Sequence, residues 1–181
     1  MPSPENRKLA GVSPKTNEIF EANYDFAKAK SAYIWNTIVD PFIGKYSLIK
    51  VCSGVLKSDD LIYDKDKDIE ERISKLYIMQ GSKPIEVFEL HAGDIGAIAK
   101  LTAARTGNTL STKTNVIQYG KTEMPVPYTY KRYKAVKKSD IDKISQSLQK
   151  MMHEDLTLQN VNDAENRQML LYGMGEQHLE V

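Results

Sequence analysis

From Ala32 onward the chain alternates short apolar, β-branched runs with polar breaks: AYIWNTIVD, YSLIKVCSG, DLIYD, ERISKLYIMQG, KPIEVFEL and DIGAIAKL. Between them stand Pro41 and Gly44, Gly54, Asp59 and Asp60, Gly81 and Pro84, then Gly93 and Asp94. Such residues interrupt a strand ladder because they supply the backbone angles and local hydrogen bonds of turns. Strands recurring at about ten-residue spacing with turn chemistry between them predict a small antiparallel β-barrel or sandwich. That unit is expected to close near Lys113.

A second texture follows. MPVPYTYKRYKAV predicts an extended strand entered through Pro125 and Pro127. In KKSDIDKISQSLQKMMHED, Ile141, Ile144, Leu148, Met151 and Met152 recur at helical spacing, which predicts a helix over residues 140–153. Ser139, with Asp142 three positions on, forms a candidate capping box at its start. LTLQNVND and RQMLLYG then read as two strands joined by the turn NDAEN, and MGEQHLEV opens another helix behind Gly173 and Gly175. Strand, helix, strand, strand, helix is a split βαβ unit of the ferredoxin type, one strand short. The fold class is therefore mainly β with α+β: a small β-barrel or sandwich followed by an incomplete ferredoxin-like domain.

The first thirty residues hold three prolines, Pro2, Pro4 and Pro14, and no sustained period. They read as an extended strap, with a short helical turn at residues 25–30. At the other end, a helix of one or two turns gains little from its own hydrogen bonds, so the sequence is expected to be a piece of a longer protein.

Composition narrows the class. The 181 residues are 41% hydrophobic and 27% charged, enough for a buried core and against wholesale disorder. A formal net charge of +1 means that any affinity for nucleic acid comes from local patches and not from an overall basic field. Cys52 is the single cysteine, which excludes an intrachain disulfide and suits a reducing, cytoplasmic setting. It lies in an apolar run and reads as a packed thiol. No stretch approaches the roughly 18 apolar residues of a membrane span.

Candidate chemistry is sparse. Gly120, Lys121 and Thr122 resemble the tail of a phosphate-binding loop, yet Asn115 stands where another Gly is needed, and prolines follow instead of a helix. His91, His153 and His178 are scattered and lack metal-ligand spacing, so no metal site and no catalytic residue is assigned. The run KRYKAVKKSDIDK, with Tyr128, Tyr130 and Tyr133 interleaved, has two readings: a phosphate-tracking and base-stacking strand, or a solvated face offset by Asp140 and Asp142. KDKDIEER reads as a mixed-charge, solvent-facing turn. Trp35, Tyr63, Tyr77 and Phe88 fit either core positions or the stacking face of a stand-alone RNA-binding barrel.

Three ordered blocks go beyond these generic signals: IWNTIVDPFIGKYSLIKVCSGVLKSDD from Ile34, HAGDIGAIAKLTAARTGNTL from His91, and LLYGMGEQHLEV at the end. Together they resemble elongation factor G and its relatives among the translational GTPases. The resemblance implies a strap from the end of a GTPase domain over residues 1–30, β-barrel domain II over 31–115, a linker over 116–126 and a truncated domain III over 127–181. The sequence departs from the family pattern at Leu156, where a Pro is usual, and at Asn108, where an acidic residue is usual. It departs again at Asn166 and Arg167, where a Thr-Gly pair is usual, and in the basic character of YTYKRYKAVKK. These departures leave a divergent paralogue and a ribosomal protection protein of tetracycline resistance as alternatives.

What the resemblance implies about function follows the family. This piece is expected to be non-catalytic, with GTP and Mg bound by a domain outside it. The intact protein would act in translational elongation, docking on small-subunit rRNA and protein, and relaying movement between its own GTPase and tip domains. By resemblance, Gly173, Met174, Gly175, Glu176 and His178 face the GTPase domain, with His178 near the fusidic acid pocket; the alternative is that the glycines make the turn and His178 caps or packs the helix. Lys45, Arg72 and Arg105 are the candidate rRNA contacts. An uncovered second domain also predicts a homodimer or an exchange of segments.

Overall fold

The computed structural model describes residues 9–40 and 44–180. The chain divides into two units, residues 1–121 and 122–181. Among the described residues, no helix is long and apolar enough to cross a membrane.

In the first unit, β3 (Ser31–Asp40), β4 (Gly44–Ser53), β6 (Leu61–Asp64), β7 (Ile69–Arg72), β8 (Leu76–Gln80), β9 (Lys83–Val87), β11 (Ile95–Ala99) and β12 (Thr109–Ser111) form one antiparallel sheet in the order β7-β6-β12-β3-β4-β11-β8-β9. A short pair, β5 (Val55–Lys57) and β10 (Glu89–His91), completes the β-barrel. Ala32, Ile34, Ile49, Val51, Leu56, Ile62, Ile73, Leu76, Leu90, Ile98 and Leu110 meet in a single buried cluster. These residues come from nearly every strand, because alternate positions of each face the same interior.

Two local departures shape this barrel. The β3–β4 register shifts between Ile34 and Asn36, a bulge that exposes Trp35 and turns Thr37 inward, where its hydroxyl meets that of Thr106 at 2.9 Å. Gly96 in β11 is dictated by close approach: a Cβ there would stand 2.4 Å from Leu90 Cδ1 and 2.8 Å from the Tyr77 carbonyl oxygen. Asn108, in the place of the family's acidic residue, is buried and donates from Nδ2 to the buried carboxylate of Asp64. An amide satisfies that carboxylate where a second carboxylate would repel it.

The stretch expected to be a strap is structured in its described part. β1 (Ala10–Val12) and β2 (Ile19–Glu21) form a hairpin, and within residues 25–30 a turn and bend over 26–28 stand in place of the expected helical turn. Asp25 accepts the Ala27 N–H, a local bond that competes with a helix, and the Asp25 carbonyl is taken by the distant Gly54 N–H. Residues 116–119, expected as linker, also pack on the barrel. Val12 and Gln118 exchange both backbone hydrogen bonds, and Ile117 and Tyr119 are buried with Ala22 and Cys52. Apolar side chains on either side of Gln118 account for this, since exposing them would forfeit their burial. Cys52 is thus a packed thiol, its pKa pushed up to about 11 by burial.

In the second unit, β13 (Thr129–Tyr133), β14 (Gln159–Asp163) and β15 (Gln168–Gly173) form a sheet of order β13-β15-β14 with antiparallel neighbours. The outer strands β13 and β14 run parallel, joined through α1 (Ile141–Glu154). This is the split βαβ arrangement, continued by α2 (Glu176–Glu180). The expected capping box does not form: a 3₁₀ turn at Lys138–Asp140 precedes α1, its N-cap is Asp140, and no side chain caps it.

The β14–β15 turn carries Arg167 at φ 54°, where the family pattern resembled above has Gly. A left-handed conformation costs a residue with a Cβ about 1–2 kcal/mol. Arg167→Gly is expected to stabilise the second unit by about 1 kcal/mol in urea unfolding followed by circular dichroism, while Arg167→Ala brings no comparable gain.

Candidate functional site

At one end of the barrel, Glu71 of β7 reaches the loop after β11. Its carboxylate accepts the Thr102 N–H at 2.8 Å, the Ala103 N–H at 3.3 Å and the Thr102 hydroxyl. Successive backbone N–H groups converging on one anion form a nest. Burial pushes the Glu71 pKa up, but the hydrogen bonds from Thr102, Ala103 and Ala104 outweigh it and hold the carboxyl below its usual range. Lys45, at the start of β4, donates from Nζ to the Ala104 carbonyl. Its pKa is lowered by burial and by the repulsion of Arg105, against the attraction of Glu71.

The structure therefore brings Lys45 and Arg105 to one loop, anchored by Glu71. Arg105 is exposed, and Arg72, the neighbour of Glu71 along β7, is exposed as well. Glu71 and Thr102 were not legible in the sequence as partners, since 31 positions separate them. Of the aromatics that a base-stacking barrel would use, Tyr63 and Tyr77 are buried, while Trp35 and Phe88 are exposed on separate elements.

The second candidate lies at the C-terminal end of β15. A Cβ on Gly173 would stand 2.7 Å from Leu179 Cδ2 and 3.1 Å from His178 Nδ1, so a larger residue here would displace side chains of α2. The Met174 N–H donates to His178 Nδ1 at 3.0 Å, and His178 Nε2 lies 2.9 Å from Asp155 Oδ2. Because Nδ1 accepts, the neutral ring carries its proton on Nε2 and donates it to the carboxylate. Asp155 also accepts the Thr157 N–H at 2.8 Å and its hydroxyl at 2.6 Å. His178 thus ties the turn before α2 to the end of α1, while Gly175 and Met174 are half-buried and Glu176 is exposed.

Burial raises the Asp155 pKa, but the bonds from Thr157 and His178 outweigh it, so the folded carboxyl titrates below its ordinary value. A depressed folded pKa stabilises the native state above the unfolded value, and that contribution is lost as pH falls through the folded pKa. Asp155→Ala is expected to lower stability at neutral pH, by an amount that solvent exposure keeps modest. The gap from the parent chain should close as the pH falls below the carboxylate range in urea titrations; a gap constant with pH would contradict the network.

Comparisons with known proteins agree with this architecture. The family model for elongation factor G domain 2 matches residues 29–113, and that for elongation factor G domain III matches residues 124–181. A crystal structure of a Thermus thermophilus protein aligns with a TM-score of 0.70 at 25% identity, covering 84% of this chain and 23% of that one. Two consecutive domain matches thus span most of the sequence, and the chain belongs to the elongation factor G family.

Proposed function

We propose that this chain is the central part of a translational elongation factor and that its barrel docks on the small ribosomal subunit. The observation that carries the reading is the succession of elongation factor G domains 2 and III in one chain. GTP and Mg are bound by a domain outside this sequence, and the whole protein couples GTP hydrolysis to translocation. The chain described here does no chemistry of its own. Its barrel contributes cations to rRNA phosphates, and the 173–178 turn faces the GTPase domain.

Lys45, Arg72 and Arg105 supply the rRNA contacts, with different physical parts. Arg72 and Arg105 are exposed and free to reach phosphates, whereas the Lys45 ammonium is half-buried against the Ala104 carbonyl. Lys45 therefore shapes the loop that presents Arg105 and adds to its local field. At the second site, the His178–Asp155 pair holds the glycine turn in one conformation. Such a fixed turn can transmit displacement of a neighbouring domain to α1 and the sheet.

Binding to purified small ribosomal subunits, with protection of the rRNA backbone from cleavage, tests the proposal. Arg72→Glu and Arg105→Glu are expected to weaken binding several-fold each and to flatten its salt dependence, because fewer counterions are released. Both variants retain the Lys45–Ala104 and Glu71 bonds, so the fold should persist. Binding that is unchanged in both, or protection spread evenly over the rRNA, would overturn the docking role.

A further inference from the structure

The sheet of the second unit has two unlike faces. Register places Tyr130 opposite Tyr172 and Tyr172 opposite Gln159, with Arg132, Leu170 and Val161 one step along on the same face. The intervening positions belong to the helix side: Lys131 pairs with Glu180 of α2 at 2.8 Å, and Gly173 lies under Leu179. Tyr133 is on that side too, its hydroxyl donating to Asn160 at 2.9 Å. The basic run of β13 is therefore split, with Lys131 turned to the side of α2 and Arg132 to the open face.

We propose that this open face binds a short segment of single-stranded RNA, bases stacking on Tyr130 and Tyr172 and phosphates meeting Arg132. The two rings are neighbours on adjacent strands, with centroids 5.2 Å apart and planes tilted by 39°. Tyr130 is 57% exposed and Tyr128, just before the strand, 74%. Large rings displayed on a sheet face with cations beside them supply the two components of single-strand recognition, a sequence-tolerant π surface and a phosphate-tracking charge.

Charge complementarity selects this occupant over an apolar or acidic protein partner. Arg132 is exposed and lies between the tyrosine row and the end of the strand, followed by Lys134, Lys137 and Lys138. The carboxylate on this face, Asp163, sits on the far strand β14 and is held by the Asn166 N–H at 3.2 Å and its amide at 2.8 Å. The cationic edge is thus β13, next to Tyr130, and the face offers little continuous apolar surface: Leu170 is buried beneath its neighbours and Val161 is 39% exposed.

The test is fluorescence anisotropy of the full chain with a labelled mixed-sequence single-stranded RNA of about eight nucleotides, the length one small module covers. The same sequence in a duplex serves as competitor. The single strand should bind at least tenfold tighter than the duplex. Tyr130→Leu and Tyr172→Leu, which keep apolar bulk but remove the ring, should each weaken it by about tenfold or more. Arg132→Gln should reduce the slope of log affinity against log salt by about 0.7. Tyr133→Phe, altered on the helix side, should leave affinity unchanged, and circular dichroism verifies that each variant is folded. Equal affinity for strand and duplex, no measurable binding at low salt, or folded Tyr130→Leu and Tyr172→Leu proteins that bind as well as the parent would overturn the proposal. Free RNA is used without ribosomes, so failure here leaves the docking of the barrel to be judged by its own experiment.

Discussion

The shared interior of the barrel is the constraint on which the rest of the first unit depends. Its cluster draws Ala32 and Ile34 from β3, Ile49 and Val51 from β4, Ile98 from β11 and Leu110 from β12. Each of these strands is too short to be stable by itself, and burial of one face against the others offsets the cost of ordering the backbone. Tight packing then restricts other positions: Gly96 can carry no side chain because Leu90 and the Tyr77 carbonyl already occupy the space. Outside the barrel the same economy covers Cys52, where the hairpin and residues 116–119 exclude water from an outward-facing apolar patch.

Polar side chains then fix what apolar burial leaves loose. Hydrophobic contact is non-directional, so it sets which residues are inside without fixing the path of a loop. Glu71 in its nest of N–H groups fixes the path of residues 102–104, and Asp64 with Asn108 fixes the approach of β12 to β6. In the second unit, Asp155 holds both Thr157 and His178, and His178 in turn holds Met174. Glu71, Asp64 and Asp155 are carboxylates whose partners are N–H or O–H donors, the arrangement that makes a partly buried charge tolerable. The surfaces proposed for docking sit beside these anchors and not inside them: Arg105 follows the loop held by Glu71, and Gly175 lies in the turn held by His178.

The strand and helix pattern was largely legible from residue order. Period-two apolar runs between turn residues marked most barrel strands, and Ile141, Ile144 and Leu148 at helical spacing marked α1 to within a residue of its ends. Misreadings came where local and tertiary forces diverge. Ser139 and Asp142 satisfy a capping pattern on paper, but the chain enters α1 through a 3₁₀ turn that leaves Asp140 at the cap. The segment around Val12 looked unstructured because three-residue strands carry no readable period, and Gln118 lies more than a hundred positions away.

What the sequence determined by itself is periodicity, turn positions and the order of elements, because these depend on neighbours within a few residues. It also carried the family resemblance, through blocks such as GDIGAIAKL and GMGEQHLEV. Only the tertiary structure decided which polar groups act together. Glu71 and Thr102, or His178 and Asp155, are joined by folding across long separations. The bulge at Trp35 and the opposite facing of Tyr130 and Tyr133 were likewise settled by strand register. The physical reason is that pairing partners and solvent exposure belong to the assembled sheet and not to any segment of it.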